Sequence, residues 1–212
     1  MKSAVKVVVG LAVLAVVAVL FIRSVRSTRA EPFAVQRESL TGWMLVMQPP
    51  DDPLRSWLAV SPATQLPASL GRDIFSRGGE SVNYPTLALV PLLLHSEFDR
   101  AFAGSVAPEA ILGLARESGF ESMEWRPRCM GYRRVSEPAG ARAVYFLLFE
   151  APAFDRFRRQ LSELLQGSAR DLFNPAALSP VLIVAGLDGD FGRWMPLRAE
   201  PDVDCLAPVD AT

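Results

Sequence analysis

The sequence predicts an α+β fold, in which an N-terminal transmembrane helix is followed by one α/β sandwich domain. The helix is indicated by an uncharged apolar run at residues 7–22 with basic residues on both sides. The sandwich is indicated by short apolar or alternating segments, which are typical of strands, and by segments with apolar residues three and four positions apart, which are typical of helices. Over residues 86–187 these segments follow the order of a ferredoxin-like βαββαβ unit.

The apolar run predicts a retained membrane anchor. Its sixteen residues would cover roughly 24 Å of a hydrocarbon core about 30 Å thick, at about 1.5 Å per residue. Counting from Ala4 makes a full span feasible, because the long stem of Lys6 reaches toward the headgroups. We therefore expect residues 4–22 to contact the lipid bilayer. The alternative is a secretory signal, whose apolar region is usually shorter and whose cleavage would release a soluble secreted domain.

The predicted domain organisation follows from this anchor. Residues 1–29 form a signal-anchor with basic flanks, residues 30–41 a polar stem, and residues 42–212 an extramembrane α+β domain. Basic residues mark the cytoplasmic side of a span, but two lysines precede the run and three arginines follow it. Because the tail before the run is very short, we expect it to stay inside. This predicts a single-pass protein of the cell membrane, with its domain in the periplasm or extracellular space. A cytoplasmic domain is the alternative.

The first part of the domain contains two predicted strands, at residues 42–47 and 57–60, and a helix at residues 70–77. A further short strand is expected at residues 87–90. It is followed by Pro91, which lacks the N–H that a central strand donates but suits the first position of a helix.

We therefore expect one helix to begin at Pro91 and to end at Gly104. A second helix is expected between Pro108 and Gly119, with an apolar face that includes Ile111.

A β-hairpin is the clearest tertiary feature in the sequence. Residues 123–129 alternate apolar and polar side chains, as in a half-buried strand. Residues 137–140, Glu-Pro-Ala-Gly, are typical of a turn. Residues 144–149 are apolar on both faces and predict a central strand. The remaining predicted elements are an amphipathic helix from Pro152 to Gly167, a buried strand at 181–184 and an edge strand at 194–197.

Charge is distributed unevenly along the chain. The first thirty residues carry +5 and the rest of the chain carries −6, although residues 126–159 within it carry +5. This stretch predicts a patch for an unknown protein or another anionic partner. The alternative is a solvated face of a strand and a helix. The net acidity of the domain argues against nucleic acid. The candidate patch residues are Arg126, Arg128, Arg133, Arg134, Arg156 and Arg159.

Two cysteines, Cys129 and Cys205, are the only thiols of the chain. In an oxidising compartment such a pair often forms a disulfide. The alternative is two unpaired, mostly buried thiols. The sequence leaves both interpretations open.

Signatures of catalysis are sparse. His95 is the only histidine, and on a helix it would share a face with Asp99, so any histidine-dependent acid–base chemistry has to use it. No phosphate-binding glycine loop, dinucleotide fingerprint or nucleophile elbow occurs. The acidic sequence at residues 186–192 departs from the calcium-loop pattern, so we expect a plain turn there rather than a calcium site. We therefore expect no catalytic residues, no metal and no cofactor.

These observations favour binding over catalysis. An anchor and a compact domain without a catalytic signature predict a protein that binds a partner or ligand at the membrane surface. The alternative is an envelope hydrolase or transferase that uses His95 with a carboxylate. The sequence leaves open which of the two applies.

Overall fold

The computed structural model describes residues 14–20, 31–52, 54–62, 66–78, 80–138 and 140–212. Within them the chain has a mixed α/β fold with three sheets, three longer helices and one hydrophobic core. The strands are β1 (Phe33–Val35), β2 (Met44–Met47), β3 (Ser56–Ser61), β4 (Val90–Leu94), β5 (Arg126–Glu137), β6 (Gly140–Glu150), β7 (Val181–Gly186), β8 (Cys205–Ala207) and β9 (Val209–Ala211). The longer helices are α1 (Leu66–Gly78), α2 (Pro108–Glu117) and α3 (Pro152–Leu164). Short helical turns lie at Arg37–Leu40, His95–Glu97, Phe98–Phe102, Gly167–Leu172, Phe191–Trp194 and Pro201–Asp204.

The long β5–β6 hairpin organises the largest sheet, whose strand order is β7-β6-β5-β8. All pairs in this sheet are antiparallel. Strand β6 is central, which explains why seven consecutive residues from Ala143 to Phe149 are buried. A second antiparallel sheet has the order β2-β3-β4, and β1 pairs with β9 in a short parallel ladder.

Helix α3 packs its apolar stripe into the core, as its sequence predicts. Phe154, Phe157 and Leu161 are fully buried on one face. The ring of Phe157 meets the ring of Phe120 edge to face, with centroids 5.4 Å apart. Phe120 in turn lies near Trp125, which stacks on Trp43 at 4.6 Å. This aromatic row joins the helix to the large sheet.

The predicted ferredoxin-like arrangement of residues 86–187 is wrong. In that unit the two strands joined by a helix are parallel, and another strand lies between them. Here β6 and β7, which α3 joins, are direct antiparallel neighbours, and β4 belongs to the other sheet. The difference arises after α3, because the turn at Gly167–Leu172 and the following loop return the chain to the end of β6, where Val181 at the start of β7 pairs with Leu148.

The helix predicted at Pro91 begins only at His95. Residues 90–94 form strand β4, in which Pro91 lies opposite Ala59 of β3. A proline is tolerated there because β4 is an edge strand of its sheet.

A buried ion pair covers the free edge of β4. Arg158 of α3 is fully buried and donates hydrogen bonds to both carboxylate oxygens of Glu97, at 2.6 and 3.2 Å. The same guanidinium donates to the carbonyl of Leu92 at 3.0 Å, and Glu97 accepts from the N–H of Leu94 at 3.0 Å. The pair therefore satisfies backbone groups that a further strand would otherwise satisfy.

The transmembrane prediction is contradicted. In the part of the chain that the structure describes, no helix is long and apolar enough to cross a bilayer. Of the predicted span, residues 14–20 are helical with exposed side chains. The other residues of the span, 4–13 and 21–22, lie outside the described residues. This finding contradicts three predictions made from the sequence: the signal-anchor, the single-pass topology and the localisation in the cell membrane or envelope.

The segment predicted as a polar stem packs into the core. Phe33, Val35 and Leu40 are all buried, and β1 is held by β9 at the end of the chain. Strand β8 just before it is tied to β5 by a disulfide between Cys129 and Cys205, whose Cα atoms lie 5.7 Å apart.

The edge strand predicted at residues 194–197 is also absent. The helical turn Phe191–Trp194 and an irregular segment occupy that region of the described chain.

Candidate functional site

A polar groove lies at the far end of the β5–β6 hairpin and is here called the hairpin-end groove. It comprises two cavities of about 300 and 390 Å³ that share Glu137, Arg142 and Arg193 in their walls. Trp194 lines the first cavity and Asp188 lines the second. These volumes fall within the range of small-molecule sites.

Arg142 is the central cation of the hairpin-end groove. Its Nε donates to Oδ2 of Asp188, and its Nη1 lies 3.7 Å from the carboxylate of Glu137. The hydrogen bond to Asp188 raises the pKa of the Arg142 guanidinium above its ordinary value; burial opposes this effect, and the neighbouring negative charges reinforce it. Arg193 pairs with Asp190 at 2.9 Å on the exposed rim. Both arginines are thus held in place by acids.

Two polar atoms in the walls of this groove are buried without a hydrogen-bond partner. They are the indole Nε1 of Trp194, which is a donor, and Oδ1 of Asp188, which is an acceptor. Most buried polar groups in folded proteins are paired, so each exception calls for an explanation. The two residues that carry these atoms, Trp194 and Asp188, line cavities that share the same arginines.

The loop that carries Asp188 is held firmly against its neighbours. The backbone of Asn83 exchanges two hydrogen bonds with Gly186, of 2.7 and 2.9 Å, and its side chain donates to the carbonyl of Leu187. The N–H of Leu187 donates to the carbonyl of Ala143 on β6 at 3.0 Å. The backbone directly before Asp188 is therefore held by Asn83 on one side and by β6 on the other.

A second groove, of about 430 Å³, lies around His95 and is here called the His95 groove. His95 follows β4 directly, and its Nε2 lies 3.0 Å from the carbonyl oxygen of Gln48. A carbonyl only accepts, so Nε2 carries the proton in this contact. The remaining lining residues are Pro50, Asp51, Asp52, Arg55, Leu94, Ser96, Asp99 and Met195.

The structure brings His95 and Asp99 to one groove, although by a different route from the one that the sequence suggested. They lie on two consecutive short turns rather than on one regular helix. Within the described residues, the hydrogen-bond partner of His95 is a backbone carbonyl and not a carboxylate.

The arginines of the predicted patch fall into two groups. Arg133 binds Asp204 through two nitrogens, at 3.0 and 2.5 Å, and Arg126 lies 3.5 Å from Glu124. The remaining four are exposed and form no ion pair within the described residues: Arg128, Arg134, Arg156 and Arg159.

The ion pair with Arg133 affects the titration of Asp204. Burial by itself would raise the pKa of this carboxyl, but the hydrogen bonds from Arg133 and from the Glu200 N–H, together with the Arg133 charge, lower it below its ordinary value. Arg133 therefore stabilises the C-terminal segment next to the disulfide.

The acidic loop at residues 186–192 supplies partners for arginines rather than ligands for calcium. Asp188 binds Arg142 and Asp190 binds Arg193. Among the described residues, no group of three or more His, Cys, Asp or Glu side chains is placed to hold a metal ion.

Sequence reasoning missed the hairpin-end groove. The sequence predicts a turn for the acidic loop and an edge strand for Trp194, and neither prediction indicates a site. The usable signal was the Asp-Gly-Asp loop directly after a buried strand, because binding residues often lie on loops that a rigid scaffold positions. Its partner Arg142 lies 46 residues away and is brought there by strand pairing.

Comparisons with protein-family models, with curated proteins and with solved structures found no significant match to this chain.

Proposed function

We propose that this chain is a binding protein whose ligand, a small polar molecule, occupies the hairpin-end groove. The observation that supports this most directly is the pair of unpartnered buried atoms, Trp194 Nε1 and Asp188 Oδ1. A ligand that offers an acceptor to the indole and a donor to the carboxylate would satisfy both. Leaving such groups unpaired costs about 1 to 3 kcal/mol each.

The charges of the groove indicate that its ligand is not a simple anion. Arg142 and Arg193 are offset by three nearby acids, Glu137, Asp188 and Asp190. A hydroxyl or amide both donates and accepts, so a neutral molecule with such groups suits this site better than a bare phosphate.

The indole N–H of Trp194 is a direct spectroscopic reporter for the proposal. The chain has four tryptophans, and those at positions 43 and 125 donate to the carbonyls of Ser39 and Phe120. In an amide correlation spectrum of the full chain, a small-molecule fragment mixture should shift the Trp194 indole signal, which Trp194→Phe identifies by its loss.

The Trp194→Phe variant keeps an aromatic ring but removes the donor, so we expect at least a tenfold loss of affinity for any fragment that binds. Trp57→Phe serves as the matched control on the other sheet and should leave the affinity within twofold. Fragments that bind elsewhere and never perturb Trp194 would contradict the proposal.

Catalysis by His95 is the alternative function. It is supported by the contact between Nε2 and Gln48, which leaves Nδ1 as the basic nitrogen, and by the presence of Asp99 and Ser96 in the same groove. His95→Ala separates the two functions. Loss of a cellular phenotype at unchanged protein level would favour the enzyme, whereas an unchanged phenotype would favour binding at the hairpin-end groove.

A further inference from the structure

We infer that the His95 groove binds an organic cation, namely the guanidinium or alkylammonium group of a basic side chain or of a free amine. This site is separate from the hairpin-end groove and does not depend on the function proposed for it.

The inference starts from Asp52, whose side chain is almost completely buried. Asp52 is 5% exposed. Its Oδ2 accepts hydrogen bonds from the N–H of Ser56 at 2.9 Å and from the Ser56 hydroxyl at 2.7 Å. Oδ1 is buried and has no partner. None of the ion pairs formed by the described residues includes this carboxylate. Burying an uncompensated carboxylate is costly, so a compensating cation is expected at the site.

The surroundings of Asp52 favour a cation from outside the chain. Asp51 and Asp99 are exposed and line the same cavity. Together the three carboxylates carry a formal charge of −3. One guanidinium, that of Arg55, lines the same groove. That side chain is exposed and forms no ion pair within the described part of the chain.

The spacing of these groups favours an organic cation over a metal ion. The described residues contain no cluster of three or more carboxylate, imidazole or thiolate groups placed to hold a metal. A small ion needs its ligands within about 2 to 2.6 Å. A guanidinium spreads five N–H donors over a plane, and an alkylammonium has three, so each can bridge carboxylates that lie farther apart. The cavity of about 430 Å³ has room for a side chain that carries such a group.

The single histidine makes the site easy to observe. Because the chain contains one His, the imidazole C–H signals in a carbon correlation spectrum need no assignment. We would titrate the full chain with three capped peptides, Ac-Gly-Arg-Gly-NH2, Ac-Gly-Lys-Gly-NH2 and the citrulline analogue, and separately with butylguanidinium and with Mg²⁺. Shifts are expected with the two cationic peptides and with butylguanidinium, and not with citrulline or Mg²⁺. A peptide that binds more tightly than butylguanidinium would identify a polypeptide side chain as the ligand, whereas equal binding would identify a free small cation.

Two variants test which charge is responsible. Asp52→Asn should weaken peptide binding at least tenfold, whereas Asp210→Asn, at an exposed acid on β9 in a separate sheet, should change it less than twofold. Should Asp52→Asn fail to fold, Asp99→Asn at the rim is the substitute, with an expected loss of threefold or more.

Several results would overturn the inference. These are an imidazole signal that no cationic probe moves up to millimolar concentration, equal shifts with the citrulline peptide, or tighter binding of Mg²⁺. Binding that occurs only after Arg55→Gln would also overturn it, because Arg55 would then be the cation that the groove already holds.

Discussion

Removing Arg158 should destabilise this protein more than removing any exposed arginine. In the structure, one buried guanidinium donates to Glu97, to the carbonyl of Leu92 at 3.0 Å, and to the carbonyls of Pro175 at 2.8 Å and Asn174 at 2.9 Å. Arg158→Met would leave a buried carboxylate and three carbonyls without these donors. Breaking a buried pair by removing one partner typically costs 3 to 5 kcal/mol, so we expect a loss of about 4 kcal/mol in the free energy of unfolding.

Glu97→Gln removes the negative charge of the same ion pair. It leaves the buried guanidinium without a counter-charge, and we expect a loss of about 3 kcal/mol. In the double variant neither charge remains, so the loss should be smaller than the sum of the two single losses by about 2 kcal/mol.

Urea unfolding of the wild type, both single variants and the double variant gives this coupling energy directly. Arg156→Met is the matched control, because Arg156 is exposed on the same helix. Its effect should stay within about 0.5 kcal/mol. Single losses below about 1 kcal/mol, or losses that add within about 0.5 kcal/mol, would refute the structural role given to the pair.

Three further perturbations test other parts of the fold. Cys205→Ser should lower the free energy of unfolding by about 4.5 kcal/mol, because the disulfide with Cys129 closes a loop with a sequence separation of 76; equal stability of the wild type with and without reductant would contradict this. Gly131→Ala should cost about 1 to 3 kcal/mol, because the added Cβ would overlap the ring of Phe146, and Phe146→Leu should restore part of the loss if that overlap is the cause. The lowered pKa of Asp204 means that its contribution to stability is present above its unfolded pKa of about 3.9 and is lost as the pH falls through the lower folded value. Asp204→Asn should therefore be less stable than the wild type at pH 7, and the difference in the free energy of unfolding should shrink as the pH falls below about 3.9; a difference that is independent of pH would reject this linkage.

Much of the local structure could be predicted from the sequence. The hairpin, its turn, the buried strand at β6 and the apolar stripe of α3 were all expected close to where they occur. Each of these signals depends on side chains a few residues apart. Periodicity and turn chemistry therefore suffice to find them.

The candidate sites could be predicted much less well. His95 and Asp99 were expected together and do line one groove, but no sequence pattern marks Asp52, which lines the same groove. The burial of Arg158 was also not expected, because an arginine that lies between exposed arginines on a helix is ordinarily solvated. Only the position of Glu97 and of three carbonyls makes its burial possible.

By itself, then, the amino-acid sequence determined the central hairpin and the amphipathic helices α2 and α3, because these elements depend on neighbours along the chain. The tertiary structure alone decided the strand order, the exclusion of β4 from the large sheet and the meeting of Arg142 with Asp188. It also decided that the segment before β2 belongs to the core through its pairing with the last residues of the chain. These outcomes depend on contacts between residues tens to more than a hundred positions apart, whose free energy depends on loop closure and on burial across elements rather than on any local pattern.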